Sequence, residues 1–436
     1  MYYPRVLFIG IQRINERDSF NNGLLLRNLF RNWPGENMAQ IFCYDDNGDK
    51  GFFQHYYRIG RAERTCGSLF FRLKTHEIPK SGFDIIKPPS EIRKHGLTEK
   101  IKLQAKRYLV DTGIVELIFR PKMSSEMKTW IDEFNPQVIF VQGYNLYFVW
   151  LAMLLKKMTG AKLAFLTTDD WPSYLYSGMY EEPTLFRWLM RPIVKSATQR
   201  LMNNVDIPFA FNSIMSEEYK SRYNKKFITI NHADEAESFK NAVPQRYHPD
   251  NVVSIVTTGY FNKYRWPLLL DVDECCRKLT EKGNPIRLLV ISSGMEKEGI
   301  AALRNAKFTD IIPDPGNELL RGYLKAADIN LLPEAFDPQV AAAISLSVST
   351  KAHLFMLSQH PIIVYGHPNT GVVKYAKSEG WGSVVSKRDL SLLTNVIEKL
   401  IINKDEAKRL ISCSKNTFEK YHSLSKNQKK LLEVLQ

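Results

Sequence analysis

Short apolar runs rich in β-branched residues alternate with longer amphipathic stretches along most of the chain. This is the pattern of parallel strands joined by crossover helices that cover both faces of a sheet. In the first half it predicts strands over residues 5–10, 39–44, 138–142, 162–167, 208–212 and 227–230. In the second half it predicts strands over 252–258, 287–292, 328–332, 361–365 and 383–385. The fold class expected is α/β, with two doubly wound Rossmann-like domains in tandem and a ligand cleft between them. Residues 1–240 form the expected N-terminal domain and 252–415 the C-terminal one, with a C-terminal helix over 416–436 packing back on the N-terminal domain. The polar stretch 241–251, with Pro244 and Pro249, reads as the linker.

The longest apolar run, residues 146–155, is closed by Lys156-Lys157. It is about half of what a bilayer requires, so it reads as a buried helix. Residues 1–10 lack the apolar core and cleavage site of a signal peptide and read as a first strand. Five cysteines without metal-ligand spacing fit a reducing, cytoplasmic setting.

A chain of 436 residues with a formal net charge of +14 points toward anionic partners: a nucleotide, nucleic acid or an acidic membrane surface. Two basic helix candidates, over 97–110 and 184–201, keep peripheral docking on an anionic cytoplasmic membrane face open. Ordinary solvated helix faces are the default account of both. The cations are dispersed and match no nucleic-acid module.

Ligands of open α/β sheets bind beyond the C-terminal ends of the strands. At these places the chain offers several candidate groups. Ser347-Val348-Ser349-Thr350-Lys351 stands between two strand-like runs and opens a helix, where unpaired N–H groups, hydroxyls and an ammonium suit a diphosphate. Simple capping by Ser349 is the plain alternative. Thr258-Gly259 leads to Arg265, a bidentate phosphate clamp at a helix start, with Gly259 allowing close backbone approach. Asn22-Gly23 opens a helix after the first strand, and Gly366 to Gly371 form another loop before a helix. Asp169-Asp170-Trp171 at a strand end could hold sugar hydroxyls, or one aspartate could cap a helix. Asp271-Val272-Asp273 spells an acidic metal motif but falls inside a predicted helix, and Asp46-Asn47-Gly48-Asp49 is a turn signal.

The order Thr258-Gly259, Arg265-Trp266, Ala327-Asp328, Pro333-Glu334-Ala335-Phe336-Asp337, Ser347 to Lys351 and Pro361 to Gly366 resembles the donor domain of GT-B glycosyltransferases. The nearest likeness is to bacterial family 4-like enzymes of capsule, exopolysaccharide and lipopolysaccharide synthesis. Asn135-Pro136, Gln142-Gly143, Asp169 to Pro172, Ser216 to Tyr219 and Arg222-Tyr223 extend it into the N-terminal half.

The resemblance implies a nucleotide-sugar donor as substrate, held by the C-terminal domain. A glycan or lipid-linked acceptor would lie on the N-terminal domain, with no cofactor or metal and with retention of configuration. By position it gives Arg265, Lys351, Thr350 and Ser349 to the donor diphosphate. Asp169 and Asp170 would orient hydroxyls, and Asn22 with Gly23 would approach the donor. The family's ribose-binding glutamate is replaced by Leu354, for which neighbouring backbone or Glu334 could compensate, and its histidine before the aspartate is Thr168. A nucleotide-sugar epimerase and a catalytically degenerate partner or carbohydrate-binding subunit are the alternatives.

Overall fold

The computed structural model describes residues 2–16, 21–43, 51–65, 114–143, 145–174 and 185–436. The chain divides into two compact units, Met1–Ile230 with Gln428–Gln436, and Asn231–Asn427. The division precedes the polar stretch 241–251, which lies inside the second unit rather than linking the two. The last nine residues return to the first unit, where Gln428 Nε2 donates to the Asn28 carbonyl at 2.7 Å.

The first unit is built on a parallel sheet ordered β3-β2-β1-β4-β5-β6-β7. Its strands are Val6–Ile9 (β1), Met38–Phe42 (β2), His55–Arg58 (β3), Val138–Val141 (β4), Lys162–Thr167 (β5), Ile207–Ala210 (β6) and Ile228–Thr229 (β7). β1 and β4 are buried along their whole length. Continuous apolar runs of this kind are what a sheet covered on both faces requires. Phe8 packs on Phe30 and Phe53, each with ring centroids at 4.7 Å, and on Phe140 at 5.4 Å. The apolar run at 146 forms a buried helix, Leu146–Thr159. Asn145 caps its start by accepting from the Phe148 N–H at 2.9 Å, and Gly160 ends it at φ +69°.

The second unit carries a parallel sheet ordered β10-β9-β8-β11-β12-β13. Its strands are Val253–Phe261 (β8), Ile286–Met295 (β9), Thr309–Pro313 (β10), Ile329–Pro333 (β11), Ile362–Tyr365 (β12) and Ser383–Val385 (β13). Leu288, Val290, Ile329 and Ile363 join Leu269, Val272 and Leu279 of the helix Trp266–Glu281 in one apolar core. β8 and β9 run past the expected ends: Gly259 pairs with Ser292, Tyr260 with Gly294 and Phe261 with Met295, with a register irregularity between Gly259 and Tyr260. Gly259 therefore lies within a strand, not after one. A bulge at this place re-aims the residues around it.

Both sheets change direction at one point, between β1 and β4 and between β8 and β11. In an open α/β sheet that is where a crevice for ligand opens. No helix among the described residues is long and apolar enough to cross a membrane. The candidate helix at 97–110 and the turn signal at 46–49 lie outside the described residues.

Candidate functional site

The switch point of the second sheet gathers a charged cluster from three places in the chain. β8 and β11 flank it, so the residues at their C-terminal ends face one another across the gap. Glu334 follows β11 directly and is 4% exposed. It has space there because Gly366, after β12, lacks a side chain; a Cβ at that position would stand 2.8 Å from the Glu334 Cβ. Arg265, which precedes the helix Trp266–Glu281, donates to both carboxylate oxygens: Nε to Oε1 at 2.8 Å and Nη2 to Oε2 at 3.0 Å. The pair is the bidentate fork that orients a guanidinium most firmly.

Lys351 begins the helix Lys351–Leu357, and its ammonium lies 5.5 Å from the centre of the Phe261 ring. It fills the room left by Gly259. A Cβ there would overlap both Nζ and Cε of Lys351, and Gly259 sits at φ +126°, where L side chains are strained. Burial pushes the Lys351 ammonium down to about 7, and Arg265 pushes the same way, while Glu334 pulls against them. Arg265 and Glu334 balance each other, so the cluster carries surplus positive charge whenever Lys351 is protonated.

The helix start contributes less than the sequence suggests. Thr350, not Ser349, occupies the cap position, in helical conformation and with no side-chain cap hydrogen bond. The Ser349 hydroxyl approaches the Lys351 N–H at only 3.4 Å. The helix has seven residues, so an anion here would rely on Arg265 and Lys351 more than on a dipole. Leu354 lies one turn on, on the same helix, with no carboxylate in its place.

Behind Lys351 is a feature that sequence reading missed. His353 stacks on His232 with centroids 4.9 Å apart and planes 12° off parallel, and on His422 at 6.0 Å and 20°. His422 Nδ1 lies 2.6 Å from the His232 carbonyl and its Nε2 lies 2.9 Å from the Tyr375 hydroxyl. Burial lowers the pKa of His232 and of His422 to about 4, and holds His353 well below the usual histidine range. The three rings are neutral at pH 7. Only their separation in sequence, 232, 353 and 422, hid them.

In the first unit the aspartate pair separates into two roles. Asp170 is 4% exposed and accepts from the Tyr219 hydroxyl at 2.9 Å and from Arg222 Nη1 and Nη2 at 2.7 and 3.0 Å. Its oxygens anchor the helix Ser213–Tyr223, so it is not placed to orient a sugar hydroxyl as expected. Asp169 is half-buried, with Thr168 Oγ1 donating to its Oδ2 at 3.3 Å. Asn22 and Gly23 fall in the first turn of the helix Asn21–Leu29. Asp271 and Asp273 serve structure: Asp271 accepts from Arg388 at 2.8 Å and Tyr365 at 2.9 Å, and Asp273 from the Phe308 N–H at 2.8 Å. No group of His, Cys, Asp and Glu suited to a metal occurs among the described residues.

No family model matches the chain, and no curated protein sequence does. Solved structures do. Sucrose-phosphate synthase from Thermosynechococcus elongatus is 11% identical with a TM-score of 0.60, over 98% of this chain and 97% of that one. Anabaena HepE in complex with UDP and glucose is 8% identical with a TM-score of 0.57, over 99% of both chains. WaaG, a glycosyltransferase involved in lipopolysaccharide biosynthesis, is 11% identical with a TM-score of 0.54, also over 99% of both. The two parallel sheets with one switch point each, matched along nearly the full length, give this chain the GT-B fold of those glycosyltransferases.

Proposed function

We propose that the protein is a nucleotide-sugar-dependent glycosyltransferase. The observation that carries this reading is the Arg265–Glu334–Lys351 cluster at the switch point of the second sheet, with surplus positive charge and a glycine kept clear for the ammonium. Cations held in a half-buried place suit a diphosphate, whose charge grows as the nucleotide leaves. Stabilisation that increases along the reaction is what accelerates it. Arg265 and Lys351 would take the diphosphate, Thr350 and Ser349 would supply hydroxyls, and Glu334 would hold Arg265 in place. Gly259 would keep room for the lysine that meets the ligand. Asp169 is the remaining acidic candidate for a sugar hydroxyl, with Asn22 and Gly23 on the acceptor unit.

The finer reading is transfer to a glycan or lipid-linked acceptor in bacterial surface polysaccharide synthesis, with retention, at the cytoplasmic face of the membrane. It is supported by the motif order and by a neighbour of lipopolysaccharide biosynthesis. Uridine is the first nucleotide to test, because HepE was solved with UDP. Leu354 and Thr168 favour a second reading, a partner subunit that has lost turnover. Incubation with nucleotide sugars, with and without lipid-linked saccharide, separates these. Release of nucleoside diphosphate that depends on acceptor supports transfer. Protection by nucleotide without release supports the second reading, and a sugar altered without acceptor indicates an epimerase.

A further inference from the structure

The helix Leu185–Asn204 contains no acidic residue in twenty, and four basic ones: Arg187, Arg191, Lys195 and Arg200. One side is core, with Met190, Val194, Ala197 and Leu201 at most 5% exposed. The opposite side carries large apolar groups in solvent: Trp188 at 62%, Leu189 at 48% and Ile193 at 36%. At helical spacing these three fall within an arc of about 140°, which Pro192 joins and which Arg191 and Lys195 border on the Trp188 edge. Scattered apolar residues on a surface are ordinary. An exposed tryptophan with two aliphatic neighbours, flanked on its outer edge by two cations on a helix without an acidic residue, is a different composition.

From this we infer that the outer face of the helix Leu185–Asn204 is the surface by which the protein docks on an anionic lipid bilayer, Trp188 seating at the headgroup level. The inference gives the peripheral part of the proposed function a place in the molecule, and its test needs no donor or acceptor. Three observations select this occupant. Cations on a helix that itself carries no carboxylate complement an anionic surface, and each contributes at close range. Tryptophan favours the membrane–water boundary, where its ring is apolar and its N–H stays wet. Leu189 and Ile193 gain from an acyl boundary but have nothing to gain from a phosphodiester backbone, where aromatic stacking does the work. A second copy of the chain seated on this face would bring the same cations into contact, and like charges repel.

The test is co-sedimentation of the full chain with vesicles of phosphatidylcholine alone, and of phosphatidylcholine with about one third phosphatidylglycerol. We expect binding to the anionic vesicles only, weakened roughly tenfold or more between low and high salt. Arg191→Gln with Lys195→Gln should weaken it about thirty-fold. Trp188→Ser with Ile193→Ser should weaken it at least tenfold while leaving circular dichroism and thermal unfolding unchanged. Equal binding to both vesicle types would overturn the proposal, as would binding that survives either double variant. So would absence of vesicle binding together with a dimer, or with single-stranded nucleic-acid binding, that the same substitutions abolish.

Discussion

Gly259→Ala places one methyl group where the Lys351 ammonium now lies. The added Cβ would overlap Nζ and Cε and stand 3.4 Å from Cδ, so the flexible end of the lysine must move while its stem stays. The backbone at φ +126° adds a strain of about 1–3 kcal/mol, well under the total stability of a domain, so the variant folds with a lowered Tm. Displacing one charge from a diphosphate removes a charge-assisted contact of about 1.5–3 kcal/mol, a ten- to hundred-fold rise in Kd. Calorimetric titration with a nucleoside diphosphate reads that change. The same glycine substitution in a Lys351→Met background separates the causes: with no ammonium to displace, it should lower Tm without further loss of affinity. Unchanged affinity in Gly259→Ala, or an equal loss in both backgrounds, would refute the link between this glycine and the lysine.

Lys351→Met removes a cation that burial and Arg265 hold unfavourably, so at pH 6 the variant should unfold roughly 3–6 °C higher than the natural protein even as it loses donor binding. Because the ligand-free ammonium titrates near 7, binding a diphosphate at pH 8 should draw in a proton. Titrations in buffers of different ionisation enthalpy measure it, and affinity should fall as pH rises from 7 to 9. The histidine stack sets acid sensitivity. Folded pKa values near 4 lie below the unfolded value of about 6.5, so the unfolded chain binds more protons in that window. Stability is therefore complete above pH 6.5 and falls toward pH 4, by on the order of 3 kcal/mol for each of His232 and His422. Thermal unfolding across this range checks it, and His422→Phe should flatten the slope.

Central strands were legible in the sequence because burial on both faces imposes a continuous apolar run, as in β4 and β11. The strands that escaped are edges. β3 reads His55-Tyr56-Tyr57-Arg58, polar enough to pass for a loop, and β10 has Asp310 near its start and Pro313 at its end, which leave only Ile311 and Ile312 as an apolar run. Arg265, Glu334, Lys351 and Gly259 could be singled out one by one from their places near strand ends and helix starts. Which of them touch was not legible, because contact between positions 265 and 334 is fixed by strand order and not by local pattern. The same limit misplaced Asp170: its partner Arg222 lies on a helix beyond the next strand, and nothing in the Asp169-Asp170 spacing distinguishes an anchored carboxylate from an available one. It also hid the histidine stack, whose members look like isolated core residues.

The donor assignment is tested most directly by calorimetric titration of the natural protein and of Lys351→Ala with uridine, guanosine, cytidine and thymidine diphosphates. We expect one of them to bind the natural protein and Lys351→Ala to bind it at least thirty-fold more weakly, with circular dichroism unchanged. Absence of binding by every diphosphate, or equal affinity in the two proteins, would contradict a donor site at Arg265 and Lys351.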